Sequence, residues 1–154
     1  MTTARALPQR APTQVKRKRG VFIAHGRTPL WPRVALEIQR LGAKPIYYEM
    51  TGRGGEEVSD VLRDMVRRSG FAVVLFTGEN EMTDGSRHPR DNVIHELGLC
   101  QGLLGPGKTL VLLQEGTILP ANISGTQYVQ FHGDSVEATF YELQHALRRE
   151  GVIK

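Results

Sequence analysis

The sequence predicts one α/β domain built on a doubly wound, five-stranded parallel sheet and preceded by a basic N-terminal tail. Three observations support this fold class. Short apolar runs that are typical of buried strands alternate with segments whose apolar residues recur at helical spacing. Regular spacing of such βα units implies right-handed crossovers. The length of 154 residues and the hydrophobic content of 40% fit a single globular domain with one core.

A distinct sequence pattern predicts each strand and each helix. Five short apolar runs are predicted to be strands: 20–25, 44–48, 71–76, 109–113 and 127–131. Four amphipathic stripes are predicted to be helices: 31–41, 58–66, 91–104 and 136–147. Gly42 and Gly70 can end the first two helices, and Pro45 suits an edge strand. The apolar run 71–76 indicates a strand buried on both faces, and the link between the last two strands is predicted to be a loop.

This alternation favours the flavodoxin-like strand order. In such sheets ligands bind beyond the carboxyl ends of the strands, near the point where the strand order reverses. Three polar or Gly-rich segments follow the first three predicted strands: 25–27, 49–55 and the long polar loop 77–90. We therefore predict that these three segments form one rim around a ligand site.

Positive charge is concentrated at the N-terminus. Residues 1–19 contain six of the 20 Lys and Arg residues and none of the 16 Asp and Glu residues, so the rest of the chain is slightly acidic. A basic tail can bind nucleic acid or an anionic surface through phosphate contacts. The simpler interpretation is a disordered, solvated leader, and nucleic-acid binding is not expected outside this tail.

Other bulk features predict a cytoplasmic protein. No apolar run approaches the ~18 residues that a membrane-spanning helix needs. Residues 1–19 contain no apolar stretch of the kind found in signal peptides. The single cysteine, Cys100, cannot form an internal disulfide and suits a reducing compartment.

The segment 88–98 is the most informative stretch of the chain. Asn92 can cap the predicted helix, because its side-chain oxygen can accept an N–H group one turn on. Glu96 lies four residues later on the same face, off the core stripe, so its carboxylate can reach into the predicted cleft. The alternative is a solvent-exposed Glu that interacts favourably with the helix N-terminus. The local pattern leaves both interpretations open.

Four segments in a characteristic order resemble a known family: 21–27, 71–77, 90–98 and 119–125. Together they are similar to the TIR-like domains of bacterial predicted nucleotide-binding proteins, which are related to the TIR effectors of anti-phage defence. The segment 90–98, with sequence RDNVIHELG, is the distinctive one. The resemblance covers about residues 20–150, so we predict a basic tail over 1–19 and a TIR-like domain over 20–154.

The resemblance implies an NAD⁺ glycohydrolase in which Glu96 is the catalytic glutamate. Nicotinamide leaves as a neutral pyridine, so no general acid is needed, in contrast to the carboxylate pair of ordinary glycosidases. One carboxylate beside the ribose can stabilise an oxocarbenium-like transition state. Attack by water gives ADP-ribose and attack by an internal nucleophile gives a cyclic product. NAD⁺ is then the substrate, and no separate cofactor is expected.

The resemblance also implies a set of substrate contacts. The predicted substrate-binding residues are Ala24, His25, Gly26, Arg27, Arg53, Thr77, Arg90 and Asn92. Gly26 would allow close backbone approach of the nucleotide. The guanidinium groups of Arg27, Arg53 or Arg90 could pair with its diphosphate, although Arg90 could equally bind only a nearby loop. No Cys/His spacing of a zinc site is present, so no metal is predicted.

Family members commonly complete their active sites between neighbouring copies. The resemblance therefore implies a homo-oligomer or filament as the active form. Many relatives fuse this domain to a sensor of a cyclic nucleotide, which here would be a separate chain or domain. The resemblance thus predicts an effector that is activated by self-association.

Three departures from the family pattern affect the predicted substrate contacts, and the changes at the Gln and Asp positions favour a different function. Asp91 stands where the family commonly has Gln, 77–80 replaces a Thr-Pro-Asp-Asp type of segment, and Thr28 replaces a frequent acidic residue. The alternative is a non-catalytic module that binds a nucleotide or another TIR surface. Phosphoryl transfer of the receiver type is poorly supported, because the third strand ends in Phe76-Thr77-Gly78 and lacks an acceptor Asp.

Overall fold

A computed structural model describes residues 18–48, 55–121, 123 and 125–154 of the chain. The predicted tail over residues 1–17 lies outside the described residues. The same holds for 49–54, which include Arg53 and most of the Gly-rich loop, and for residues 122 and 124. The predictions made for these segments stay predictions.

The described part of the chain alternates strands and helices as the sequence predicts. The strands are β1 (Gly20–Ala24), β2 (Lys44–Tyr47), β3 (Phe71–Phe76), β4 (Asn80–Glu81), β5 (Arg87–His88), β6 (Thr109–Gln114) and β7 (Gln127–Phe131). The helices are α1 (Trp31–Arg40), α2 (Gly55–Arg68), α3 (Asp91–Leu104) and α4 (Phe140–Arg149). No helix in this part of the chain is long and apolar enough to cross a membrane.

Five of the strands form one parallel sheet in the order β2-β1-β3-β6-β7. The predicted doubly wound sheet with flavodoxin-like order is confirmed. The strand order reverses between β1 and β3, which are neighbours in the sheet although β2 lies between them in sequence. Strand β2, with Pro45 near its start, forms one edge, as predicted.

Helices cover both faces of the sheet and give the domain two layers of core. Alternate side chains of β1 face opposite layers: Val21 and Ile23 pack with α1 and α4, whereas Phe22 and Ala24 pack with α2 and α3. All six residues of β3 are buried in the same alternating way. Burial on both faces explains why the central strands are continuous apolar runs rather than alternating ones.

Gly42 ends α1 in the way that its position predicts. Its φ of +86° is a left-handed conformation that glycine adopts without steric cost. Its N–H donates to the carbonyl of Gln39 (3.0 Å), and the N–H of Ala43 donates to that of Ile38 (3.1 Å). These two bonds form a Schellman motif, which turns the chain directly into β2.

Two segments differ from the prediction. The polar loop 77–90 contains a short antiparallel hairpin, in which Asn80 pairs with His88 and Glu81 pairs with Arg87. The final helix is split, because Val136–Thr139 form a 3₁₀ turn and α4 begins only at Phe140. The apolar stripe predicted over 136–147 is present. A 3₁₀ turn and an α-helix give similar stripes over so few residues, so the stripe does not distinguish them.

Gly70, between α2 and β3, is required by close backbone packing. A methyl group at this position would lie 2.3 Å from the backbone carbonyl oxygen of Lys18. We therefore expect Gly70→Ala to lower the free energy of unfolding by about 1–3 kcal/mol, as overpacking does. Urea denaturation of the two proteins measures this difference.

Gly98→Ala on α3 is the matched control for that substitution. A methyl group there meets no atom within 4 Å, and Gly98 is exposed within a helix. The control should gain about 0.5–1 kcal/mol. Equal stability of the two variants would contradict the packing argument.

Candidate active site

The site lies where the strand order of the sheet reverses. Strands β1 and β3 are parallel neighbours, with Ala24 opposite Val74, so their carboxyl ends lie side by side. The segments 25–27 and 77–90 leave the sheet from these two ends. The structure therefore brings together two of the three predicted parts of the rim, and the third, 49–55, lies outside the described residues except for Gly55.

Glu79 joins these two segments. Its Oε1 accepts the backbone N–H of Arg27 (2.7 Å), and its Oε2 accepts the hydroxyl of Thr77 (2.9 Å). The sequence identified Glu79 only as part of a departure from the family pattern. The available signal was an acidic residue three positions after the end of β3, the strand that neighbours β1, where a carboxylate can reach the loop of the adjacent strand.

Gly26 is crowded by two polar side chains. A methyl group on Gly26 would lie 2.1 Å from Oε2 of Glu79 and 3.0 Å from Cδ of Arg90. The space beside the glycine is occupied by atoms of this chain, and the predicted close approach of the nucleotide stays a prediction. The crowding also places the stem of Arg90 next to the loop that carries Arg27.

Two arginines at the rim have no intramolecular partner in the described part of the chain. Arg27 is exposed and Arg90 is half-buried, and neither guanidinium group forms a hydrogen bond or an ion pair with any described residue. The alternative in which Arg90 only binds a nearby loop therefore has no support among these residues. The guanidinium fork of such groups is well suited to binding an anion.

His25 is held by its neighbours in a fixed orientation. Its Nδ1 donates to the carbonyl of Gly26 (2.8 Å), and its ring stacks on Trp31 with 4.5 Å between centroids and 13° between planes. Trp31 in turn contacts Tyr47 and packs against the core. Ala24 is fully buried at the end of β1, so only its backbone could face a ligand.

Helix α3 begins at this rim, but not in the way that was predicted. The residue that precedes its first turn is Arg90, in an extended conformation, and no side chain caps the helix. The carbonyl of Arg90 accepts the N–H groups of Val93 (3.0 Å) and Ile94 (3.2 Å). Asn92 lies inside the helix and is exposed, so the prediction that it caps the helix is wrong. Its predicted contact with substrate stays a prediction.

Glu96, in the second turn of α3, is a half-buried carboxylate. It forms no hydrogen bond or ion pair with any residue that the structure describes. Burial raises its pKa to about 7 from an ordinary 4.5. One turn further, burial and then the charge of Glu96 raise the pKa of the Cys100 thiol to about 12. Glu96 is therefore not the solvent-exposed residue of the alternative interpretation.

The desolvated environment of Glu96 affects how this carboxylate interacts with charged groups. A carboxylate without a nearby cation in a desolvated position interacts strongly with any positive charge that enters. Strongly shifted pKa values of this kind concentrate at functional sites. Among the described residues no three His, Cys, Asp or Glu side chains converge as metal ligands would.

Comparisons with known proteins place this geometry in context. Among curated proteins the chain is similar to the uncharacterized protein YuaY of Escherichia coli (strain K12), with 29% identity over 136 residues that cover 83% of this chain and 46% of YuaY. It is also similar to CD-NTase-associated protein 12 of Flavobacterium daejeonense, with 38% identity over 61 residues, 40% of this chain and 20% of that protein. The chain spans less than half the length of these relatives.

A solved structure shares the fold. The CMP N-glycosidase BcmB of Clostridium botulinum superimposes with a TM-score of 0.56 and 12% identity, over 80% of this chain and 97% of BcmB. A sequence profile described as the TIR domain of CAP12/Pycsar effector proteins matches residues 20–133, which include both loops of the rim and all of α3. These findings confirm the resemblance seen in the sequence. The chain belongs to the family of CAP12/Pycsar effector TIR domains.

Proposed function

We propose that this domain cleaves the N-glycosidic bond of NAD⁺, releases nicotinamide and acts as an effector of bacterial anti-phage defence. The observation that carries the proposal is Glu96, a half-buried carboxylate with no cationic partner among the described residues, on the helix that begins at the rim. Membership in the effector family supports the defence role. The relatives named CD-NTase-associated protein 12 support a link to cyclic-nucleotide signalling.

The chemistry of the bond suits a single carboxylate. The bond between C1′ of the ribose and the pyridinium nitrogen breaks, and its electron pair neutralises the leaving nicotinamide. Positive charge then develops on the ribose, where ionised Glu96 would stabilise it most effectively in a desolvated site. Hydrolysis consumes one water and yields ADP-ribose, nicotinamide and a proton. An internal nucleophile would give a cyclic product instead, and both outcomes belong to the proposal.

The arginines of the rim would hold the other end of the substrate. Arg27 and Arg90 have no intramolecular partners in the described part of the chain and lie beside the crowded Gly26. A diphosphate accepts paired hydrogen bonds from such groups. Arg53, outside the described residues, remains a third candidate. His25, fixed against Trp31, would border the nucleotide without needing to move.

Self-association and a separate cyclic-nucleotide sensor complete the proposal. The family resemblance implies that neighbouring copies complete the site, so a dilute monomer should be nearly inactive. The chain spans less than half the length of its curated relatives, and a sensor would occupy a part of the system that this domain does not include. We also propose that the protein acts in the cytoplasm.

The first test follows nicotinamide release from NAD⁺ at high protein concentration, with and without a crowding agent. We expect release by the wild type and a loss of at least about 100-fold in Glu96→Ala, because a desolvated electrostatic contact to the transition state is removed. Glu142→Ala, which removes an exposed carboxylate from α4, is the matched control and should stay active. CMP serves as a second substrate, since the structural neighbour is named for it.

Two results would contradict the proposal. Equal release by wild type and Glu96→Ala would remove the role of the carboxylate. Retained NAD⁺ binding without any release, under crowding and at high concentration, would favour the alternative of a non-catalytic nucleotide-binding or scaffolding module.

The pH dependence of turnover gives a second prediction. The free enzyme needs ionised Glu96, and burial raises the pKa of this group to about 7. We expect kcat/KM, which reports groups of the free enzyme, to fall about tenfold per pH unit below 7 and to level off above it. Initial rates between pH 5 and pH 9 at low NAD⁺ measure this profile. A profile that is flat down to pH 5 would show that the charge of Glu96 is not used.

Stability should depend on pH through the same group. The pKa of Glu96 in the folded state, about 7, lies above its ordinary value of 4.5, so the folded protein holds this proton more tightly. The resulting stabilisation is fully present below pH 4.5 and is lost as the pH rises through 7. Relative to the wild type, Glu96→Gln should therefore gain up to about 3 kcal/mol on going from pH 4.5 to pH 8.

Urea denaturation at pH 4.5 and pH 8 measures this gain. Glu142→Gln, with an exposed carboxylate, is the control and should follow the wild type at both values. Parallel behaviour of all three proteins would mean that Glu96 is not desolvated in solution.

A further inference from the structure

We propose that Glu79 is a positioning residue, which fixes the loop after β1 so that the arginines of the rim are presented to the diphosphate of the substrate. The inference rests on the proposed function, because the substrate class comes from it. Glu79 is not a catalytic residue in this scheme, since it acts through the backbone of Arg27.

The carboxylate ties two strands together at their ends. One oxygen accepts the N–H of Arg27 from the loop after β1, and the other accepts the hydroxyl of Thr77 at the end of β3. Thr77 is buried, so its hydroxyl is a fixed anchor. The backbone of Arg27 therefore cannot move without breaking a hydrogen bond to a charged acceptor, which is stronger than one between neutral groups.

The backbone around Glu79 is held in place by further hydrogen bonds. The N–H of Gly78 donates to Oε1 of Gln114 (3.2 Å), and Nε2 of Gln114 donates to the carbonyl of Gly133 (3.0 Å). The N–H of Glu79 donates to the carbonyl of Thr77 (2.9 Å). These contacts connect the end of β3 to β6 and to the turn after β7, so the carboxylate projects from a rigid support.

Close packing over Gly26 extends the same constraint to Arg90. The position of a Cβ on Gly26 is 2.1 Å from Glu79 and 3.0 Å from Arg90. The stem of Arg90 is thereby confined on one side by the loop that Glu79 holds. One carboxylate thus holds the backbone of Arg27 and lies beside the stem of Arg90, two arginines that belong to different segments.

The negative charge of Glu79 is not needed for this role. A glutamine could accept the N–H of Arg27 with its amide oxygen and donate its NH₂ to the oxygen of Thr77. It would also remove a charge that repels phosphate. Glu79→Gln should therefore keep the loop in place, whereas Glu79→Ala should release it. A positioning role and an electrostatic role of Glu79 predict different outcomes for this pair.

The test measures ADP-ribose binding by calorimetry, together with hydrogen exchange of the Arg27 backbone amide by NMR. We expect Glu79→Ala to weaken binding about tenfold and to speed exchange of that amide at least tenfold, the size of a lost hydrogen bond. Glu79→Gln and the control Glu142→Ala, an exposed acid on α4, should both stay within about twofold of the wild type. Thr77→Val, which removes only the anchoring hydroxyl, should show smaller changes in the same direction and covers the case in which Glu79→Ala does not fold.

Three outcomes would overturn the inference. In the first, the Arg27 amide exchanges faster in Glu79→Ala but ADP-ribose binds as tightly as before. Glu79 would then stabilise the loop without affecting ligand binding. In the second, Glu79→Gln binds as weakly as Glu79→Ala, so that charge and not position matters. In the third, the wild type does not bind ADP-ribose.

Failure of the proposed function has a different signature. It is judged by nicotinamide release, which this experiment does not use. If the wild type released no nicotinamide but Glu79→Ala, Glu79→Gln and the wild type bound ADP-ribose as expected, the positioning role would stand without the glycohydrolase.

Discussion

The parallel pairing of β1 with β3 is the constraint on which the rest of this domain depends. Because β2 is placed outside β1, the chain must cross over to add β3 on the other side, and the two strands end at the same edge of the sheet. Apart from Ala24, which ends β1, the described residues predicted for the candidate site lie in loops that leave this edge or on α3. Deep burial of both strands makes this edge rigid, which is a requirement for holding side chains in a fixed arrangement.

The candidate site divides into two parts with opposite electrostatic character. Arg27 and Arg90 supply positive charge at the ends of the strands. Glu96 supplies a single, poorly solvated carboxylate one turn into α3. NAD⁺ carries the complementary charges, with a diphosphate at its centre and a pyridinium at one end. This match supports the proposed substrate independently of the shape of the loop that the structure does not describe.

The sequence was sufficient to predict the sheet because the central strands are buried on both faces. Such strands appear as continuous apolar runs, and 71–76 matches β3 residue for residue. The hairpin of β4 and β5 was missed because each strand has two polar residues and no alternation to detect. The start of α3 at Asp91 was located correctly, but the conformation of Arg90 decides the cap, and Asn92 is an equally good capping residue by type.

The site was less accessible to prediction than the fold. Glu96 could be singled out from its spacing, whereas its desolvation depends on what packs around α3 and cannot be read from a helix by itself. Glu79 was missed because its partners, Thr77 and Arg27, include one that is 52 residues away in sequence. A contact of that kind follows from the topology of the sheet. It could have been anticipated only after the order of the strands was accepted.

The crowding above Gly26 has a consequence for how this domain can change over evolutionary time. Any side chain at position 26 collides first with the hydrogen-bonded carboxylate of Glu79 and then with Arg90. Mutations at these positions are therefore epistatic, and their order matters. If Glu79 is first replaced by a shorter residue, a side chain at position 26 no longer meets its carboxylate. If Gly26 is replaced first, the new side chain must displace the loop that Glu79 holds. Lineages that lose Glu79 can then accept other residues at position 26, whereas lineages that keep Glu79 must keep glycine there.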